Sequence, residues 1–288
     1  MKKQARFDVR RLAVSTSGSG APAVLVHGFA STRLVWRGLC RALRDDFTCH
    51  AIDLPGCGES PAPAHFSYTL EHLSDVLADF IVMKDLREVT LVGASLGAAV
   101  ILLALLRNRD VLAPRLKALC LIGAVAYPQN FPFALAALRS PLGSLAVNLP
   151  SFMRVLPPMM VEAFFAVAPP RYARFRRRNV RAALLNTARL IDANALARYV
   201  PRLKTIGVPT LLVWGRDDRL VPLRLGRRLH RDLPSSRLVV IDRCGHRPHV
   251  ECPDKVAAAL KKFAGAARPA PPETARLSLK VLGRRDCR

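Results

Sequence analysis

The residues best suited to covalent chemistry in this chain are Ser95, His246 and one of the adjacent acids Asp217 and Asp218. Ser95 sits in Gly93-Ala94-Ser95-Leu96-Gly97, directly after the apolar, β-prone run Val89-Thr90-Leu91-Val92 and before a helical pattern from Ala98 to Leu106. A side chain held on so sharp a strand-to-helix turn needs small neighbours, which Gly93 and Gly97 supply. The helix that follows presents backbone N–H groups and a positive dipole end beside the hydroxyl. A serine hydroxyl is a weak nucleophile near neutrality, so a base must take its proton and a carboxylate must hold that base in one tautomer. His246 follows the strand-like run Leu238 to Ile241 across a short loop, with Gly245 just before the imidazole. Asp217 and Asp218 follow Thr210 to Trp214 in the same manner. Three strand ends thus deliver Ser, Asp and His to one edge of a sheet.

Those strands belong to a longer alternation. Strand patterns at Ala23 to Val26, Thr48 to Ile52, Leu116 to Ile122 and the runs above alternate with helical patterns near Val35 to Leu43, Leu70 to Met83, Leu223 to Arg231 and Pro253 to Phe263. Such alternation predicts an α/β fold with a mostly parallel sheet covered by helices on both faces. At 288 residues and 51% hydrophobic, the chain is long enough for one catalytic domain with an inserted cap. The alternation breaks between Val125 and Thr205, where Pro-rich apolar stretches take over. A helical cap over residues 125–205 is expected there, between core segments 1–124 and 206–265, with 266–288 reading as a disordered basic tail.

Five motifs in order give the chain a resemblance to the α/β-hydrolase superfamily. They are the serine turn itself, Val24-Leu25-Val26-His27-Gly28-Phe29, Asp53-Leu54-Pro55-Gly56-Cys57-Gly58-Glu59-Ser60, Gly215-Arg216-Asp217-Asp218-Arg219-Leu220-Val221-Pro222, and Gly245-His246-Arg247-Pro248-His249-Val250-Glu251. The resemblance spans about Val24 to Phe263 and implies an α/β-hydrolase fold with a helical cap. It also implies Ser95 as nucleophile, His246 as general base and Asp218 as the carboxylate that orients the imidazole, with Asp217 the rival acid. Backbone N–H groups of Phe29 and Leu96 would form the oxyanion hole, supported by His27, Gly28, Gly93 and Gly97. His27 is expected to be a structural residue of its loop, and Asp53 to shape its turn. An aspartate at position 95 would favour epoxide or halide chemistry; serine points to acyl transfer through an acyl-enzyme.

The expected function is therefore hydrolysis of a carboxylic ester, with an apolar acyl pocket suggested by Phe131, Phe133, Phe152, Met153, Met159, Met160, Phe164 and Phe165. A thioesterase, a carbon-carbon bond hydrolase and a non-catalytic binding homologue are the alternatives. No cofactor or metal is implied: His246-Arg247-Pro248-His249 lacks the helical pairing and carboxylate of a zinc helix.

The chain carries 45 Lys plus Arg against 21 Asp plus Glu, a net charge of +24. Within the cap segment Arg171, Arg174, Arg176, Arg177, Arg178 and Arg181 face only Glu162 and Asp192, a balance suited to weak contact with an anionic membrane surface or a phosphorylated carrier. No nucleic-acid recognition motif accompanies the charge. Met1 to Arg6 is basic but leads into no apolar run, and no stretch reaches the length of a spanning helix. Seven cysteines without a C-x-x-C pair suggest reduced thiols and a cytoplasmic setting.

Overall fold

A computed structural model of the chain describes residues 6–128 and 196–266. Most of the expected cap and tail therefore lie outside the described residues. Seven strands form one sheet in the order β1-β3-β2-β4-β5-β6-β7. They are β1 Val14–Ser17, β2 Ala21–Val26, β3 Phe47–Ile52, β4 Val89–Ala94, β5 Leu116–Ile122, β6 Thr210–Gly215 and β7 Ser236–Ile241. Only β1 runs antiparallel, pairing Val14 with Ile52 and Ser17 with Cys49; every other neighbour pair is parallel.

The central strands are apolar along their whole length because both faces are covered. All six residues of β4 and of β6 are buried. One face packs on α2 (Leu70–Met83), α3 (Leu96–Arg107) and α5 (Leu223–Asp232), the other on α1 (Arg37–Leu43) and α7 (Pro253–Ala266). A short α4 (Arg109–Leu112) follows α3, and a short α6 (Pro248–Glu251) precedes α7. Helix α2 is amphipathic: Leu70, Leu73, Leu77, Phe80 and Ile81 face the core, and the Thr69 hydroxyl caps its start by accepting from the His72 N–H at 3.2 Å. Helix α3 is buried from Leu96 to Leu106, as a helix wedged behind the central strands must be.

This topology decides where chemistry can occur. Because β2 to β7 are parallel, the segments following them all emerge at one edge. The chain leaves β2 toward β3 on one side and returns to place β4 on the other, so the strand order reverses between β2 and β4. Open α/β sheets bind their ligands in the crevice at such a reversal, and β4 ends there at Ala94, directly before Ser95.

Candidate active site

Ser95 has φ 53° and ψ −114°, a sparsely populated conformation for a residue with a side chain. Strain of this kind costs of order 1–3 kcal/mol and persists only when the surroundings enforce it. The Ser95 N–H donates to the Ile122 carbonyl at 2.9 Å, and the Ser95 carbonyl accepts from Ala98 at 3.1 Å and Val125 at 3.2 Å. Gly97 lets α3 press against the end of β2: a Cβ there would stand 2.1 Å from the Val26 carbonyl oxygen. Gly93 is similarly closed in by Ile101 and Ala98. The two glycines of the motif thus permit the crossing that forces the serine outward.

The β2 loop comes up beside this turn. A Cβ on Gly28 would lie 3.2 Å from the Ser95 Cβ and 3.9 Å from its Oγ. His27 is fully buried; its Nε2 accepts from the Leu54 N–H at 3.1 Å, so Nδ1 carries the proton and donates to the Gly28 carbonyl at 2.8 Å. Burial pulls the His27 pKa below its ordinary value, which fits a neutral ring pinning its loop to the end of β3. Among the described residues neither the Phe29 nor the Leu96 N–H meets an acceptor, and Leu96, first residue of α3, has no carbonyl a turn earlier to bond.

His246 and Asp218 are joined directly, with Nδ1 2.8 Å from Oδ2. The Asp218 side chain is 0% exposed and that of His246 18%. The other Asp218 oxygen accepts from the Leu220 and Val221 N–H groups at 2.9 and 2.8 Å, so the carboxylate is fixed before the imidazole meets it. With the carboxylate accepting, the imidazole proton belongs on Nδ1 and the Nε2 lone pair is free. Asp217 is exposed, and only its backbone takes part, donating to the Cys244 carbonyl at 3.0 Å. The Trp214 indole braces the acid loop by donating to the Val221 carbonyl at 2.7 Å. Glu251 closes the histidine loop, accepting from Gly245 at 2.6 Å and Arg247 at 2.9 Å.

Gly123, at the end of β5, connects these groups. With φ +51°, it presents its bare face to His246, whose Nδ1 and Cε1 would stand 3.2 Å from a Cβ. Its neighbour Ile122 holds the Ser95 N–H. The imidazole and the serine turn are therefore both set against one two-residue segment. Sequence reasoning missed Gly123; its one signal was a glycine directly after a buried strand.

The remaining motif residues are structural. Asp53 is buried, accepts from the Arg33 N–H at 2.6 Å and the Glu59 N–H at 2.9 Å, and pairs with the Arg33 guanidinium, so it shapes its turn. His249 is buried against Trp36, ring centroids 4.5 Å apart, and its Nδ1 has no hydrogen-bond partner among the described residues. Burial, with smaller contributions from His246 and Arg247, pushes its pKa down to about 3. Burial likewise raises the thiols of Cys57 and Cys244 to about 12, which favours their protonated form.

A family model described as the alpha/beta hydrolase family matches residues 23–259. The chain belongs to the alpha/beta hydrolase family. Among its relatives, this hydrolase is 26% identical over 249 residues to the uncharacterized hydrolase YugF of Bacillus subtilis, covering 83% of this chain and 88% of that protein. It is 29% identical over 250 residues to a pimeloyl-[acyl-carrier protein] methyl ester esterase of Neisseria meningitidis, covering 83% of this chain and 75% of that one. A solved thermophilic esterase from Thermogutta terrifontis superposes with a TM-score of 0.64 at 27% identity, covering 88% and 92% of the two chains. Among the described residues of this hydrolase no helix is long and apolar enough to cross a membrane.

Proposed function

We propose that this hydrolase is a serine esterase that cleaves a carboxylic ester through an acyl-enzyme. The observation that carries the reading is the buried Asp218 carboxylate holding His246 by Nδ1, on the same sheet edge as a serine strained onto its turn. Ser95 Oγ attacks the ester carbonyl while His246 Nε2 takes its proton. Asp218 steadies the imidazolium, and the Phe29 and Leu96 N–H groups stabilise the oxyanion. His246 then returns the proton to the leaving alcohol, leaving Ser95 acylated. Water, deprotonated by the same Nε2, attacks the acyl carbonyl and releases the acid and free Ser95.

Ester rather than another acyl bond is favoured by relatives described as a methyl ester esterase and an esterase. The apolar acyl preference rests on the phenylalanine and methionine residues between 131 and 165 of the sequence. The cytoplasmic setting rests on the cysteine usage. The test is turnover of p-nitrophenyl acetate, butyrate and octanoate by wild type and Ser95→Ala. Hydrolysis abolished by the substitution, with preference for the longer chains, is expected. Equal turnover by the two proteins would refute the nucleophile.

A further inference from the structure

At the outer edge of the sheet, between β1 and α1, lies a cleft of about 550 Å³ lined by Arg33, Arg37, Arg41, Arg44 and the serines Ser15 and Ser17. Arg37, Arg41 and Arg44 recur at helical spacing, so their guanidinium groups share one face and span roughly 10 Å along the axis. No acid occurs between Arg33 and Arg44 in the sequence. Asp45 is the single acidic residue lining the cleft, and it stands 3.5 Å from Arg44. Among the described residues the Arg37 and Arg41 side chains have neither an ion pair nor a hydrogen-bond partner. Arg37 is also the first residue of α1, where the positive end of the helix dipole opposes a cation.

Arg37 and Arg41 are therefore solvent-exposed cations with no countercharge bound to them among the described residues. Arg33 is different: it is locked by Asp53, Glu59 and the Ser15 hydroxyl oxygen, 2.8 Å from its Nε. Because Ser15 Oγ accepts that bond, its own proton is free to donate into the cleft. Guanidinium forks and hydroxyl donors around a concavity of this size match tetrahedral oxyanions better than a flat bilayer face. The spacing of Arg37 and Arg41, one helical turn, suits two linked phosphoryl groups.

We propose that this cleft binds a soluble small molecule bearing a diphosphate, with Arg37 and Arg41 clamping its oxygens and Ser15 donating beside them. The test is calorimetric titration of the full chain with pyrophosphate and with ADP, against sulfate at matched ionic strength. Saturable binding is expected, weakened at least tenfold by Arg37→Ser/Arg41→Ser. It should survive Arg109→Ser/Lys117→Ser, which removes the same charge from α4 and β5, outside the cleft. Circular dichroism checks that both variants fold. Absence of saturable binding, or equal loss in the two double variants, would overturn the proposal. So would binding to phosphatidic acid vesicles without binding to pyrophosphate.

Discussion

Replacing His249 by Phe should make the protein more resistant to acid. In the folded state burial holds the His249 pKa near 3, against an ordinary value of 6.5. Its folded pKa is depressed, so between those values the unfolded chain binds a proton that the folded chain refuses. Stability is complete above pH 6.5 and drains away as pH falls, by about 1.4 kcal/mol per pH unit once the unfolded imidazole titrates. Between pH 7 and pH 4 the loss from this one residue is about 3 kcal/mol, a large share of a typical folding free energy. Phenylalanine keeps a ring against Trp36, places no polar atom where Nδ1 now lacks a partner, and cannot titrate. Near neutrality the larger ring should cost about 1–3 kcal/mol by overpacking, an offset that does not vary with pH. Urea unfolding followed by circular dichroism at pH 7, 6, 5 and 4 measures the difference. The variant should gain about 3 kcal/mol on wild type across that range. Parallel profiles would mean that the folded protein protonates His249 readily, and would refute the burial argument.

Two further perturbations separate chemistry from architecture. Asp218→Asn should keep the fold but lower kcat by about 10³ to 10⁴-fold, since an amide facing Nδ1 disfavours the required tautomer; Asp217→Asn, at an exposed carboxylate, should leave esterase kinetics nearly unchanged. Gly97→Ala should destabilise the protein by about 3 kcal/mol or more in chemical denaturation, because the new Cβ meets a backbone carbonyl at 2.1 Å and backbone cannot step aside as a side-chain tip can.

Much of the architecture is legible in the sequence because central parallel strands, buried on both faces, must be apolar throughout. Leu116–Ile122 and Leu70–Met83 have the bounds that their patterns predict. Strand β1 escaped detection because Val14-Ser15-Thr16-Ser17 has no apolar alternation; it is mostly exposed and exists by pairing with β3. The predicted helix Val35 to Leu43 is observed as a 3-10 turn, Arg33–Trp36, followed by α1. Ser95, His246 and the two acids were visible as polar residues at strand ends. Asp217 and Asp218 are chemically identical and adjacent; the spacing from Gly215 and to Pro222 favours Asp218, and in the structure the backbone turn buries its carboxylate under the Leu220 and Val221 amides while Asp217 is exposed. Gly123 was not legible as part of the site, since it acts on His246, distant in sequence; the Trp214 brace reaches only to Val221, but depends on a loop conformation that the strand pattern does not fix.

The most direct test of the serine nucleophile is reaction of the pure chain and its Ser95→Ala variant with a fluorophosphonate, read by intact mass and peptide mapping. A single adduct on Ser95, absent from the variant, is the predicted result. A folded, unlabelled wild-type chain, or an adduct elsewhere that persists in the variant, would contradict it.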